Sequence, residues 1–312
     1  MDKAFHDALL QKDPFADILG LQETKEQLKS ALLMDRHVLI IGAPGIGKTT
    51  LAKNVAKLLP PIKGKKPEER FVRVQGSPEL TVEDLLGDID PIKALKFGPT
   101  STEAFTPGKL FKADQGILFF DELNRCPEKV QNALLQVLEE GKATLGSYLV
   151  DFPATFIFIG TMNPEETAAT EKLSDVLMDR FDIVHMTYPD TADIEQDIVL
   201  AKGEKRDVTF PDNLLTAAIM FVRALREHKD IQKKPSVRAS LGLYERAQAN
   251  ALLRKAKTVT ADDIANAIVS VLSHRIELKP SVKYLQTTEE FLAKEYAQFV
   301  HEHEELERGG GL

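Results

Sequence analysis

The feature that most constrains this chain is a glycine-rich segment between a short apolar run and a helical pattern. Val38–Ile41 is apolar, and Thr50–Leu59 repeats its apolar residues with helical spacing. The segment between them has the spacing G-x-x-x-x-G-K-[ST] and consists of Gly42, Ala43, Pro44, Gly45, Ile46, Gly47, Lys48 and Thr49. A strand, such a loop and a helix in this order form the motif that wraps the phosphates of a nucleoside triphosphate.

The residue types in this segment match the needs of triphosphate binding. Glycines let backbone N–H groups approach the phosphates closely, because a side chain would block that approach. Lys48 is expected to reach the β- and γ-phosphates, and Thr49 offers a hydroxyl to Mg²⁺. Thr50 continues the helix, whose N-terminus adds partial positive charge. A chance match is the alternative, but the flanking strand and helix make it the weaker interpretation.

The composition narrows the class of protein. Lys and Arg number 40 against 48 Asp and Glu, and this net charge of −8 disfavours broad binding to nucleic acid or anionic membranes. The single cysteine, Cys126, excludes an intramolecular disulfide. The first residues lack the apolar core of a signal peptide, and no run approaches the roughly 18 apolar residues of a membrane span. We therefore expect a cytoplasmic protein.

Further apolar runs predict the other strands of one parallel sheet, and these are Phe71–Val74, Ile117–Phe120, Thr155–Gly160 and Ile183–Met186. Helical patterns such as Pro127–Glu140 alternate with them, which is typical of a three-layer α/β domain. Residues 142–152 indicate a hairpin. The proline-containing stretch 76–116 looks irregular apart from a helical pattern at Leu80–Leu86 and a short amphipathic piece at Pro91–Phe97, and a stretch of this length is usually functional or mobile.

Past residue 190 the pattern changes to helices, without a further convincing strand. We expect helices over 191–202, 212–228, 236–256 and 260–274. A charged helix near 288–307 leads to the flexible tail Gly309–Leu312. The prediction is an α/β nucleotide-binding domain over residues 1–190 and a small helical domain with a charged tail over residues 191–312.

Two carboxylates end the strand Ile117–Phe120, at the edge where open α/β sheets place their ligands. Asp121 is expected to hold Mg²⁺ through its bound water, beside Thr49, because this ion prefers oxygen ligands and keeps most of its water. Glu122 points elsewhere and could polarise the attacking water. A surface pair of acids is the alternative, and the preceding glycine-rich loop favours the functional interpretation.

Three further polar residues lie at the ends of predicted elements. Asn163 follows a buried strand, where its amide could orient water or contact the γ-phosphate, although Asn-Pro also favours a plain turn. Arg180 ends a helix, where a cation is favourable at the surface. Arg238 begins a helix, where a cation opposes the dipole, and this suggests an anionic partner.

Taken in order, these motifs resemble the AAA+ ATPases over about residues 15–276. Asp121–Arg125 is similar to the MoxR form of the second nucleotide-binding motif, Walker B. The segments that look like magnesium-chelatase subunit I are Asp88–Leu95, Phe105–Leu110 and Gly160–Glu166. Val271–Arg275 is similar to the end of the helical lid in both subfamilies.

The resemblance implies a three-layer αβα domain with a parallel sheet, followed by a small all-helical lid, and Mg²⁺-dependent hydrolysis of ATP. Asn163 would be sensor 1, and Arg180 the arginine finger that reaches the ATP of a neighbouring subunit. Arg238 would be sensor 2, acting in its own subunit or in a neighbour. Ile18 and Gly20 would lie near the adenine.

The resemblance also implies a homo-oligomeric ring, commonly a hexamer, with ATP at the subunit interfaces. The hairpin 142–152 would be the presensor-1 insertion, and residues 76–110 would hold an insertion that faces the ring pore. The implied partner is a protein with a von Willebrand factor A domain. The alternative is the ATPase subunit of a chelatase that inserts Mg²⁺ or Co²⁺ into a tetrapyrrole. A DNA-acting motor or clamp loader is a third class, which the acidic charge disfavours.

Overall fold

The computed structural model describes residues 3–11, 13–62, 66–98, 101–144, 151–164 and 172–303. The chain forms two compact units. The first is Met1–Ala43 with Gly47–Met186, and the second is Thr187–Leu312 with Pro44–Ile46. The turn of the predicted hairpin and the predicted tail, Gly309–Leu312, lie outside the described residues. No helix in the described ranges is long and apolar enough to cross a membrane.

A parallel sheet of five strands organises the first unit. The strands are β1 (His37–Ile41), β2 (Phe71–Gln75), β3 (Ile117–Asp121), β4 (Ile157–Met162) and β5 (Phe181–His185). Their order across the sheet is β2-β3-β4-β1-β5, and every neighbouring pair is parallel. The predicted α/β class with a parallel sheet is therefore confirmed. All five carboxyl ends lie along one edge of the sheet.

Shorter elements surround this sheet. The helices of the first unit are Lys3–Leu9, Gln22–Leu33, Lys48–Lys57, Val82–Leu86, Pro91–Phe97, Lys109–Lys112, Glu128–Glu140 and Asp175–Met178. Two antiparallel strand pairs accompany them, Gly87–Ile89 with Phe105–Pro107 and Lys142–Thr144 with Asp151–Pro153. Much of the stretch 76–116 that looked irregular in sequence thus consists of short helices and a strand pair.

Aromatic packing holds the middle of the sheet. Phe158 stacks on Phe120 at a ring-centroid distance of 6.0 Å and on Phe181 at 5.1 Å. These side chains come from three strands and are buried, as expected for strands that are covered on both faces. The core therefore keeps the strands in fixed register. Their carboxyl ends carry the polar residues that are described below.

The second unit is mainly helical. Its helices are Ala192–Lys202, Asp212–Glu227, Val237–Leu253, Ala261–Leu272, Pro280–Lys283 and Thr288–Glu302. The expectation of no strand beyond residue 190 needs one correction, because Ile231–Lys233 pairs with Glu277–Leu278. Strands of three and two residues are too short to give an alternating pattern, so the pairing depends on tertiary contacts that bring distant segments together.

A buried ion pair ties three helices of the second unit together. Glu195 is fully buried, and its carboxylate accepts hydrogen bonds from Arg226 at 2.6 and 2.7 Å and from Ser240 at 2.5 Å. The Arg226 guanidinium also lies 4.6 Å from the ring centroid of Tyr188. Because both charged groups are shielded from water, removal of one leaves the other without compensation.

Glu195→Ala is therefore expected to lower the free energy of unfolding by about 3–5 kcal/mol. The matched control is Glu204→Ala, which removes an exposed pair with Arg206 and should cost less than about 1 kcal/mol. Since the chain contains no tryptophan, urea denaturation followed by circular dichroism measures the difference. Equal losses in the two variants would contradict the assigned role of the buried pair.

His37 makes the stability of the first unit depend on pH. Burial, aided by the positive charge of Arg36, lowers the pKa of His37 from 6.5 to about 4. Its Nδ1 accepts a hydrogen bond from the Phe158 N–H at 3.1 Å. Between pH 6.5 and about 4 the unfolded chain binds more protons than the folded chain, so stability falls as the pH falls.

From about pH 7.5 to about pH 5 this histidine should contribute a loss of about 2 kcal/mol. His37→Asn keeps a hydrogen-bond acceptor but does not titrate in this range. We expect urea denaturation of this variant at both pH values to show a smaller loss than in the unaltered chain. An identical pH dependence in the two proteins would exclude His37 as the cause.

Candidate active site

The glycine-rich segment runs from the end of β1 into the helix Lys48–Lys57. Gly45 and Gly47 have φ angles of 76° and 106°, a region of backbone conformation that favours glycine. The Lys48 ammonium lies within the loop and donates to the carbonyl oxygens of Gly42 at 2.5 Å and Ala43 at 2.8 Å. The loop therefore presents a cation and a helix N-terminus at the carboxyl edge of the sheet.

Asp121 ends β3 at the same edge. Its Oδ1 accepts a hydrogen bond from Thr161 at 2.7 Å. Its Oδ2 accepts from Arg73 at 2.6 Å and from the Thr49 hydroxyl at 3.4 Å. A carboxylate and a hydroxyl side by side suit Mg²⁺, which prefers oxygen ligands. Asp121 and Thr49, both predicted as metal-binding residues, are thus brought together.

Glu122 has an unusual backbone conformation, with φ 56° and ψ 54°. A non-glycine residue in this left-handed region is uncommon and often marks a functional site. Its N–H donates to the buried Thr161 hydroxyl at 3.0 Å. Its Oε2 accepts from Gln75 at 2.8 Å and from Arg125 at 3.0 Å. The Glu122 carboxylate is therefore held on a different side from that of Asp121.

Gly76 lets the chain after β2 approach these carboxylates. Its N–H donates to the Asp121 carbonyl oxygen at 2.7 Å. A Cβ atom on Gly76 would overlap the carbonyl oxygen of Glu122 and lie 3.0 Å from that of Asp121. This position accepts glycine alone without a backbone shift, because the neighbouring atoms are main-chain atoms.

Asn163 and the segment around Ile18 lie at this edge too. Asn163 follows β4 directly, and the Gly42 N–H donates to the Met162 carbonyl oxygen at 3.2 Å, so Asn163 adjoins the loop. Ile18 and Gly20 form the turn before the helix Gln22–Leu33. The Thr24 hydroxyl in the first turn of that helix donates to the carbonyl oxygen of His185, the last residue of β5.

Arg180 lies at the opposite edge of the sheet, because it directly precedes β5. It forms an ion pair with Glu139 at 2.9 Å, and about one third of its side chain is exposed. Its Nε is buried and has no hydrogen-bond partner among the residues that the structure describes. The structure therefore does not bring Arg180 together with the loop and the carboxylates of the same chain.

Arg238 belongs to the second unit, where it is the second residue of the helix Val237–Leu253. Its N–H donates to the Ser236 side chain, which caps this helix. Burial, and in addition the positive charge of Arg238, lower the pKa of Arg275 in the same unit. A second positive charge close to Arg275 favours an anionic ligand near this pair.

Four polar residues of the site were missed by the sequence analysis. They are Arg73, Gln75, Arg125 and Thr161, and each contacts Asp121 or Glu122. Thr161 had a signal, since it is a polar residue directly after the run Thr155–Gly160 that was expected to be buried. Arg73 and Gln75 show the period-two spacing of one strand face. Which carboxylate they contact depends on the pairing of β2 with β3.

Two family descriptions match this chain. Residues 37–181 match the family "AAA domain (dynein-related subfamily)", and residues 223–295 match "AAA lid domain". The first range contains the glycine-rich loop, the two carboxylates, Asn163 and Arg180. The second range contains Arg238.

Known proteins show similarity over most of the chain. Chaperone MoxR1 of Mycobacterium tuberculosis is 26% identical over an alignment of 291 residues, gaps included, which covers 84% of this chain and 73% of that protein. Magnesium-chelatase subunit ChlI, chloroplastic, of Oryza sativa subsp. indica is 28% identical over an alignment of 325 positions, gaps included, which covers 86% of this chain and 76% of that protein. A solved RuvB mutant of Thermotoga maritima has a TM-score of 0.55 at 21% identity and shares the fold, with coverages of 84% and 74%.

Proposed function

Because this chain belongs to the AAA+ ATPases, in the branch of MoxR and magnesium-chelatase subunit I, we propose that it couples Mg²⁺-dependent ATP hydrolysis to the remodelling or activation of a partner protein. One observation carries the proposal. The lysine of the glycine-rich loop, a hydroxyl and two separately held carboxylates converge at one edge of the sheet, and these are Lys48, Thr49, Asp121 and Glu122.

The loop would bind the triphosphate of ATP. In this proposal backbone N–H groups of Gly42–Thr49 and of Thr50 surround the phosphates, and Lys48 exchanges its carbonyl partners for phosphate oxygens. Thr49 and Asp121 hold Mg²⁺, which supplies positive charge to the phosphates when bound. Ile18 and Gly20 lie against the adenine.

Glu122 would polarise the attacking water. Its carboxylate accepts hydrogen bonds from Gln75 and Arg125, which orient it away from Asp121. Asn163 adjoins the loop and would orient the same water or contact the γ-phosphate. Such positioning, with the charge of the loop, is the protein's main contribution to phosphoryl transfer.

The position of Arg180 supports a ring in which active sites are shared. The five residues of β5 separate Arg180 from the edge that carries Lys48 and Asp121, a distance of about 16 Å at the usual rise per residue. An arginine side chain does not span this distance, so a catalytic Arg180 must serve a neighbouring subunit. We propose a homo-oligomeric ring, with six subunits as the expected number, and Arg238 as a further contact to phosphate in its own or a neighbouring subunit.

An exposed apolar helix supports a protein partner. The helix Pro91–Phe97 has no buried residue, and the exposed fractions are 80% for Ile92, 91% for Leu95 and 48% for Phe97. A helix normally turns its apolar residues toward the core, so this surface is suited to bind another protein. We propose that the partner carries a von Willebrand factor A domain and that the complex forms in the cytoplasm.

A chelatase subunit is the second candidate. The specific observation in its favour is the similarity to ChlI. The chain is 28% identical to ChlI and 26% identical to the chaperone MoxR1, so sequence identity does not favour the chaperone. In that case the ATPase would drive insertion of Mg²⁺ or Co²⁺ into a tetrapyrrole. A DNA-acting motor is disfavoured by the net charge of −8.

Capture experiments separate these functions. Tagged Glu122→Gln should hold ATP without turnover and retain its partner, whereas Lys48→Ala should bind neither. Recovery of a von Willebrand factor A protein only with Glu122→Gln and ATP supports the proposed function. Recovery of tetrapyrrole-chelation proteins favours the second candidate, and salt-sensitive DNA binding favours the motor. Absence of ATP hydrolysis by the assembled, unaltered protein would refute all three.

A further inference from the structure

Arg73 occupies an unexpected position beside the carboxylate that suits Mg²⁺. Its guanidinium donates to Asp121 Oδ2 at 2.6 Å, the same oxygen that accepts from the Thr49 hydroxyl at 3.4 Å. Arg73 also donates to Gln75 Oε1 at 3.3 Å. The side chain of Asp121 is only 14% exposed, so this ion pair is better shielded than a surface pair.

The sheet register explains why the arginine reaches this oxygen. Gln75 is opposite Asp121 in the parallel pair of β2 and β3, and Arg73 lies two residues earlier on the same face. The two side chains divide the carboxylates between them, because Gln75 contacts Glu122 while Arg73 contacts Asp121. The contact therefore follows from the backbone pairing, even though half of the Arg73 side chain is exposed.

A guanidinium and a divalent cation with its bound water compete for one carboxylate oxygen. They repel each other, and the carboxylate cannot satisfy both at close range. We propose that Arg73 sets the metal affinity of this site, because Mg²⁺ binding requires Arg73 to leave Asp121 Oδ2. Arg73 acts through Asp121 and not on the nucleotide itself, and the proposal rests on the function proposed above.

The test measures metal binding directly and does not depend on turnover. Mn²⁺ replaces Mg²⁺ as the probe, a non-hydrolysable ATP analogue is present, and free Mn²⁺ is followed by electron paramagnetic resonance. Arg73→Gln should raise the Mn²⁺ affinity by at least about tenfold, since a nearby positive charge is removed. Arg73→Lys keeps the charge and should stay within about threefold of the unaltered protein.

The matched control is Arg36→Gln. Arg36 is a half-exposed arginine that pairs with Asp182 at 3.1 Å. It directly precedes β1 and therefore lies at the edge of the sheet opposite Asp121. Its replacement should leave the Mn²⁺ affinity unchanged. An unchanged or lower affinity in Arg73→Gln would overturn the proposal, and a lower value would mean that Arg73 holds Asp121 in place for the metal.

Binding of a fluorescent ATP analogue in the presence of a chelator separates this inference from the proposed function. If the unaltered protein binds no nucleotide, the proposed function fails and the inference fails with it. If nucleotide binds and Arg73→Gln does not raise the Mn²⁺ affinity, the inference alone fails. Circular dichroism of each variant confirms that the compared proteins are folded.

Discussion

Arg180→Ala is expected to lower ATP turnover of the assembled protein by roughly three to five powers of ten, the range known for arginine fingers. Binding of ATP should persist, because Arg180 lies at the edge of the sheet opposite Lys48 and Asp121. Steady-state hydrolysis and equilibrium binding of a fluorescent ATP analogue measure the two effects. Arg36→Ala is the control, since it removes a different arginine, half-exposed, from the same edge.

Mixing two inactive variants tests whether Arg180 acts on a neighbour. Arg180→Ala subunits keep an intact Glu122, and Glu122→Gln subunits keep an intact Arg180. In a mixed ring, an interface that combines the intact groups of both variants should hydrolyse ATP. Restored activity on mixing supports a shared site, and a mixture as inactive as its components would rule it out. Normal ATP turnover by the Arg180→Ala protein without any mixing would contradict the assignment of Arg180 as an arginine finger.

Glu122→Gln is expected to lower the turnover number by roughly two to four powers of ten, as expected for loss of a group that positions and polarises water. The substitution keeps the size of the side chain and removes its charge. ATP affinity should change by less than about threefold, because Lys48 and Asp121 remain in place. Single-turnover hydrolysis and nucleotide binding measure the two quantities.

The control for this variant is Glu128→Gln, the same substitution at an exposed position six residues further along the chain. It should leave both quantities unchanged. Turnover in Glu122→Gln close to that of the control would show that another group polarises the water. Weak ATP binding in Glu122→Gln would instead indicate that this carboxylate supports the loop itself.

Local sequence patterns predicted much of the site. The loop Gly42–Thr49 was visible from spacing, since backbone approach to phosphates requires glycines at particular positions. The strands were visible because runs covered on both faces are almost wholly apolar, as in Ile117–Phe120. Asp121 and Glu122 followed from their place at the end of such a run. These signals are local, so one stretch of chain is enough to carry them.

Other parts of the prediction failed where pairing between distant segments decides the outcome. The strand pair Ile231–Lys233 with Glu277–Leu278 gave no pattern, because both strands are very short. The contact of Arg73 with Asp121 depends on β2 lying beside β3, although the two strands are far apart in sequence. Thr161 reaches Asp121 for the same reason, through the pairing of β3 with β4.

The amino-acid sequence alone determined the class of fold and the phosphate-binding loop, because these depend on apolar periodicity and on the spacing of neighbouring residues. It also carried the resemblance to the AAA+ family, through motifs that follow one another in a fixed order. Only the tertiary structure decided which side chains hold Asp121 and Glu122 and that Arg180 lies at the far edge of the sheet. Such relations depend on strand order and register, which bring together residues that no local pattern connects.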